Sequence, residues 1–565
     1  SGEILQGYSV AVKGEKIAFL GKDCRHTVGP DTQVIDAAGK VLIPGLIDSH
    51  THMDFPVVMP HNYVGEAILS GTTTIITETV ELANVLGRGC YPAILHFLAS
   101  LKDLPIKFFA TAPSLIPVLP EIEEGTPFTP EELAGLLKNE QILGLGESNW
   151  ISVLDENEAA LDMLEKCRQT GKRLEGHGAG ARGAKLAAYA ACGISSDHEA
   201  LSAEDVLERL RLGMHVMIRE GSVRRDLESI SRIRKSITDC RRLILVTDGL
   251  KPEDLMEYGY MTHLVQKAID LGFDPVTAIQ MATINPAEYF RLDHRCGGIA
   301  PGRDADMLLI PDLRTIKCEL VVSKGRVVAR NGNLLVQACK YEPLEMEMNS
   351  MHVSKTFEAP DFNVLLEDGM GAGLFRVIHL VTDVITEQLL AQLPVKNKQV
   401  QADPGKDIIK ISVIDRHRGS HRSFTGFVKG FGMRAGAVAC SYSWEARSPM
   451  VVVGAREADM ATAVNRVVQL GGGLAVCNAG QILAEISLPI GGFLATCSVR
   501  EAADRFDRIG KALKDLGCLL PNPYLTLMTS AGTFLPFFRI TQSGLVDIRK
   551  KKIVGLVKAR AAGRT

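Results

Sequence analysis

Between Pro44 and about Ala300, short apolar runs alternate with longer amphipathic stretches, and this pattern restricts the fold more than any other feature of the chain. TTTIIT, KFFATA, ILGLGE, RLEGHG, HVMIRE and LILVTD have the length and apolar content of buried strands, while 158–171, 182–193, 202–213 and 253–271 carry helical periodicity. Strands and helices in strict alternation predict a parallel α/β architecture. On either side the texture is different. YSVAV, KIAFLG and QVIDAAGKVLI precede the α/β region, and GGIAPGRDADMLLIPDL and CELVVSKGRVVARNG follow it, all with strand-and-turn chemistry. The second β block is too short to close a core alone and is expected to complete the sheet begun at the N-terminus. The expected domains are therefore 1–43 with 301–344 as a composite small β domain, 44–300 as the α/β domain, and 345–565 as a C-terminal α+β domain. That last domain has a strand at 450–454, strands within LAVCNAGQILAEISL and a helix over 457–470.

At 565 residues the chain exceeds what one hydrophobic core organises, in keeping with several domains. The 63 basic and 66 acidic side chains leave a formal charge of −3, which gives no electrostatic reason for a nucleic-acid or lipid partner. A small, nearly neutral substrate fits better. No apolar run approaches the roughly 20 residues of a membrane span, and SGEILQGYSVAV lacks the pattern of a signal peptide. The 12 cysteines form no Cys-x-x-Cys pair, which argues against thiolate zinc and disulfide frameworks and for a reducing cytoplasm.

The sharpest local signal is PGLIDSHTHMD, with Asp48, His50 and His52 after an apolar pair. Alternate residues of a strand share a face, so His50 and His52 can turn to one metal. Glu147 ends ILGLGE, His177 ends RLEGH, His198 lies in GISSDHE and Asp248 ends LILVTD. Each falls where a barrel gathers its catalytic groups. Singly, a strand-end histidine is more often structural and an Asp there is often a helix cap; the recurrence is what counts. Four imidazoles and two carboxylates without sulfur suit manganese, iron(II) or zinc. They suffice for two divalent ions if Glu147 bridges, and Asp248 is placed to accept a proton from the attacking water.

With those residues assembled, the chain resembles the amidohydrolase superfamily and, more closely, the adenine deaminase family. PGLIDSHTH resembles the first metal motif, and GHGAGARGAKLAAYAACGISSDHE at 176–199 resembles the block that carries the third and fourth histidines. IREGS at 218–222, VTD at 246–248, ATINPAEYFRL at 282–292, GGIAPGRDADMLLI at 297–310 and AVNRVVQLGGGLAV extend the likeness over nearly the whole chain. The resemblance implies a (β/α)8 TIM-like barrel, a small composite β-sandwich domain and a C-terminal α+β domain. It also implies a metal-activated hydroxide that converts adenine to hypoxanthine and ammonia. His50, His52, Glu147, His177, His198 and Asp248 would be the metal ligands, with Glu147 and Asp248 catalytic, and Arg219, Glu220, Ser222 and Asp54 would contact the purine or its surroundings. A homo-oligomer is expected.

Some positions depart from the family pattern. Met53, Asp54, Phe55 and Pro56 stand for Ile-Glu-Ser-Ser, and Glu78, Thr79, Val80 and Glu81 for Asp-Pro-His-Glu. Gly249 replaces the second Asp of Thr-Asp-Asp, and Glu445, Ala446, Arg447 and Ser448 replace His-Asp-Ser-His. These changes keep open a second reading, an amidohydrolase or deaminase for another purine or cyclic amide. A non-catalytic oligomeric scaffold predicts missing ligands and stands behind both. His417 and His421 in DRHRGSHRS read as a polar loop, whereas the resemblance points to a domain that closes over the barrel or supports a subunit contact.

Overall fold

The structure, a computed structural model, describes residues 2–114, 119, 127–366, 373–417, 419–420, 422–445 and 447–558. His421 and Ala446 lie outside the described residues. The chain forms two compact units, one of Ser1–Glu81, Ile94–Ser114 and Phe128–Tyr341, the other of Leu82–Ala93, Leu115–Pro127 and Glu342–Thr565.

In the first unit, Leu46–Thr51, Thr72–Thr77, Lys107–Ala112, Ile142–Asn149 and Arg173–His177 pair in parallel in sequence order. Ser196–Asp197, His215–Arg219 and Leu243–Val246 form a second parallel ladder. Both seams between the ladders are bridged. Ser195 N–H donates to Leu174 O at 3.0 Å and Asp248 N–H donates to His50 O at 3.0 Å, so the eight strands make a TIM-like barrel. Ile47, Ile76, Phe109, Met217, Ile244 and Val246 fill a buried cluster with residues of 287–296. Burying apolar surface of this kind stabilises by about 25 cal/mol per Å².

Six of the eight strands were expected from their apolar runs, and Leu46–Thr51 falls inside PGLIDSHTHMD. Ser196–Asp197 was not; two residues carry no periodicity. The expected helix 253–271 is two helices, Pro252–Tyr258 and Met261–Asp270. Gly259 breaks it at φ 79°, a left-handed conformation open to glycine, and Tyr260 then turns into the core, its N–H donating to Ser70 Oγ at 3.0 Å.

The two β blocks share one core. Val41–Pro44 joins Met307–Ile310, Leu320–Ser323, Arg326–Arg330 and Asn333–Leu334 in a five-stranded sheet. Ser9–Lys13 and Lys16–Gly21 make a separate hairpin, tied on by Ile17 N–H to Arg303 O at 2.9 Å and by Ile17 packing on Met307, Leu309 and Leu320. Of QVIDAAGKVLI only the end is strand. Val34 is 69% exposed, and no apolar face covers that stretch.

The second unit holds a nine-stranded sheet in which Thr386–Ala391, Leu374–Leu380, Ser423–Lys429, Ile408–Ile414, Met450–Gly454, Ala437–Cys440, Gly473–Asn478 and Gln481–Ser487 lie in spatial order and Val557–Lys558 pairs with Leu374–Leu380. All pairings are antiparallel except that of Leu374–Leu380 with Ser423–Lys429. Helix Glu457–Gln469 buries Met460, Ala463, Val464 and Val467 against it. Among the described residues no helix is long and apolar enough to cross a membrane.

Candidate metal centre

The C-terminal ends of the barrel strands collect side chains that the sequence scatters. His50 is on the first strand with His52 just past it, Glu147 is on the fourth, His177 ends the fifth, His198 follows the sixth and Asp248 lies two residues beyond the eighth. All six meet. Glu147 Oε1 is 3.2 Å from His50 Nε2, 3.3 Å from His52 Nε2 and 3.0 Å from His198 Nε2, and its Oε2 is 3.8 Å from His177 Nδ1. Asp248 Oδ1 stands 3.3 Å from both His50 Nε2 and His52 Nε2, and His177 Nδ1 is 3.2 Å from His198 Nε2.

Donors bound at about 2.0–2.2 Å to a common ion stand roughly 3 Å apart, which is the spacing seen here. His50 Nε2 is buried, faces both carboxylates and, among the described residues, makes no hydrogen bond of good geometry. A buried polar atom left in that state costs on the order of 1–3 kcal/mol. A cation removes that cost, so these residues fit one. His50, Glu147, His198 and Asp248 offer ligand atoms within 4.8 Å of one another, as do His177, His198 and Glu199.

The local chain is bent to serve this arrangement. Asp248 sits at φ 56°, a left-handed conformation that costs a non-glycine residue roughly 1 kcal/mol or more and is found mostly where function holds it. Thr247 fixes that turn by donating from N–H to Asp48 Oδ1 at 3.2 Å and from Oγ1 to Asp48 Oδ2 at 2.6 Å. Burial pushes the Asp48 carboxyl up to about 6. Gly249 follows at φ 114°, and a Cβ there would stand 2.5 Å from the Phe55 ring. Two of the departures from the family pattern therefore touch each other beside Asp248.

Burial by itself would raise the carboxyls of Glu147 and Asp248. His52 and His198 around Glu147, and His50, His52 and Arg219 around Asp248, outweigh it and hold both well below the usual range. Conversely burial works against charge on His50 and His52, yet the same two carboxylates keep both imidazoles well above the ordinary histidine range. His177 is held up at about 9 by Glu199 and Glu147 against its burial. Without an ion, protons balance this cluster.

Arg219, expected to contact the purine or its surroundings, clasps carboxylates: it donates to Glu199, to Asp248 Oδ2 at 3.2 Å and to Asp226 Oδ2 at 3.2 Å. Glu220 pairs with Lys267 at 2.7 Å, and Ser222 donates to Asp254 at 2.7 Å while accepting from Lys251 N–H at 2.8 Å. Asp54 is buried and lies with His52 and Glu81 in a group whose ligand atoms are within 4.8 Å.

Sequence reasoning missed four carboxylates. Glu81 Oε1 is 2.6 Å from His52 Nδ1, Glu78 Oε1 is 3.7 Å from His50 Nδ1, Glu175 joins Glu78 and His50, and Glu199 is 3.5 Å from His198 Nε2. Burial and the neighbouring Glu78 push Glu175 well up, and burial with Glu147 nearby brings Glu78 to about 7. In the second unit, His417 N–H donates to Asp415 Oδ1 at 3.0 Å, and among the described residues no group of ligating side chains includes it.

The amidohydrolase family profile matches residues 41–334, and that of the adenine deaminase C-terminal domain matches 383–552. An adenine deaminase of Moorella thermoacetica is 38% identical over 562 residues, covering 99% of this chain and 93% of that protein. One from Clostridium botulinum is 34% identical over 559 residues (98% and 92%), and one from Desulfatibacillum aliphaticivorans is 35% identical over 559 residues (98% and 95%). The barrel, the cluster at its mouth and these matches define an amidohydrolase. Within that class, the chain belongs to the adenine deaminase family.

Proposed function

We propose that this protein hydrolyses adenine to hypoxanthine and ammonia at the mouth of a (β/α)8 barrel. One observation carries the reading: six side chains from the ends of five strands meet with the spacing of metal ligands, four histidines facing Glu147 and two of them also facing Asp248. The near full-length similarity to proteins named adenine deaminase supports the substrate.

His50, His52 and Asp248 would hold one divalent ion, His177 and His198 the other, and Glu147 would be shared. Manganese, iron(II) or zinc suits this nitrogen and oxygen set. When bound, the ions supply Lewis acidity, which brings the pKa of water toward neutrality and offsets negative charge as it develops on the ring. Asp248 takes a proton from the attacking water and returns it to the departing amino nitrogen, so adenine and water leave as hypoxanthine and ammonia. Arg219 anchors Asp248 Oδ2 and fixes the carboxylate's orientation during that transfer. The strained turn at Asp248 and the Asp48–Thr247 pair keep it there.

A second reading, deamination of another purine or cyclic amide, is favoured by the contact of Phe55 with Gly249 beside Asp248. Metal-free protein reconstituted with manganese, iron(II) or zinc and assayed for ammonia release decides between them. Adenine turned over faster than a panel of purines and cyclic amides supports the first reading; turnover of another member of the panel with adenine inert replaces it by the second.

A further inference from the structure

The two histidines of the His-x-His motif are held very differently. His50 Nδ1 lies 3.7 Å from Glu78, beyond hydrogen-bond reach, while His52 Nδ1 is 2.6 Å from Glu81 Oε1. Glu81 is 1% exposed, so water does not compete for this contact. A neutral imidazole carries one N–H. With a carboxylate at Nδ1, that N–H sits on Nδ1 and donates to it, which leaves the lone pair on Nε2, and in this structure His52 Nε2 faces Glu147 Oε1 and Asp248 Oδ1, both at 3.3 Å. Asp54 completes the surroundings of His52.

From this geometry we propose that Glu81 is a positioning residue, which sets the tautomer and ring orientation of His52 and thereby the affinity of one of the two ion positions. The inference rests on the metal-binding reading above. Carboxylates behind ligating histidines fix ring orientation and raise ligand basicity, and their loss typically weakens metal affinity by about 10–100-fold. Glu81 touches no reacting atom in this arrangement; it acts through His52.

Two measurements on the full chain test it, with Glu81→Leu and Glu81→Gln beside the parent. The first is manganese affinity and stoichiometry by chelator competition; the second is the ¹⁵N spectrum of the His52 ring in the metal-free protein at high pH, where the imidazole is neutral. Glu81→Leu is expected to bind one of the two ions about 10–100-fold more weakly and to lose the Nδ1–H signature of His52. Glu81→Gln, which keeps an acceptor oxygen, is expected to retain the signature and lose less affinity, and it carries the test if Glu81→Leu does not fold. Parental affinity at both positions with an unchanged His52 tautomer in Glu81→Leu, or in Glu81→Gln affinity loss with the Nδ1–H signature gone, would overturn the proposal. A parent that binds no manganese sinks the metal-binding reading instead, and the ring spectrum still reports on Glu81.

Discussion

Both units bury charge, and they do so in opposite ways. In the second unit Arg416 donates from Nε to Ser448 O at 2.7 Å and from Nη2 to Gly491 O at 3.0 Å. Arg539 donates to the carbonyls of Thr529, Pro536 and Val384, and Lys410 to Phe362 O and Glu457. The two guanidiniums are satisfied chiefly by backbone and Lys410 by a carbonyl and one carboxylate, and burial lowers the guanidinium pKa of Arg416 to about 10 and of Arg539 to about 9. In the barrel unit the buried groups instead face one another: His50 meets Glu147 and Asp248, and among the described residues Glu78 Oε2 and Glu175 Oε1 find no hydrogen-bond partner. Charge satisfied by carbonyls builds architecture. Titratable groups turned on each other, with bonds left unmade, build a site.

That contrast can be broken by exchanging the expected phenotypes. Asp248→Asn should lower kcat/KM for ammonia release by roughly a thousandfold, in the range of a lost general acid-base group, with the thermal midpoint nearly unchanged. Arg539→Met should do the reverse. It removes the charged donors to the carbonyls of Thr529, Pro536 and Val384, the first two of which keep a backbone N–H, so unfolding free energy should fall by about 3 kcal/mol while activity per folded molecule holds. If Arg539→Met cuts turnover as deeply as Asp248→Asn, the division between the units is wrong.

Metal uptake sharpens the same point through pH. In the metal-free protein Glu147 and Asp248 hold His50 and His52 protonated well above the ordinary histidine range, and Glu199 and Glu147 hold His177 protonated up to about 9. An ion must expel those protons. Calorimetry in buffers of different ionisation enthalpy should therefore show proton release at neutral pH, with affinity weakening as pH falls. Uptake without release would mean the ion binds elsewhere. Gly249→Ala is expected to be milder: the added Cβ meets Phe55 and the φ of 114° disfavours it, for a loss of about 1–2 kcal/mol in unfolding free energy and a measurable drop in kcat. The smallest effect belongs to Ser222→Ala, which breaks its bond to Asp254 and should change stability by about 1 kcal/mol with kcat nearly intact.

Periodicity made most of the barrel legible, because strands buried on both faces must be apolar and a strand end is marked by the first polar residue after it. The same rule located Glu147, His177 and Asp248. It also applied to Glu78, one residue past Thr72–Thr77, and Glu175 shares a strand face with His177, so both lay within reach of that reasoning. Glu81 did not. It belongs to no strand, and only folding brings it to His52. Arg219 was legible as a residue near the site, but whether it faces substrate or protein depends on Glu199, Asp226 and Asp248, which no spacing connects. Likewise the two-residue strand Ser196–Asp197 is defined by its neighbour at 215–216 and leaves no trace of its own.

Anomalous diffraction from crystals of the manganese-loaded protein tests the centre most directly. Two peaks are predicted, one on either side of the Glu147 carboxylate, the first bonded to His50, His52 and Asp248 and the second to His177 and His198. Manganese bound with no peak in contact with Glu147, or these imidazoles turned away from the ions, would contradict the account.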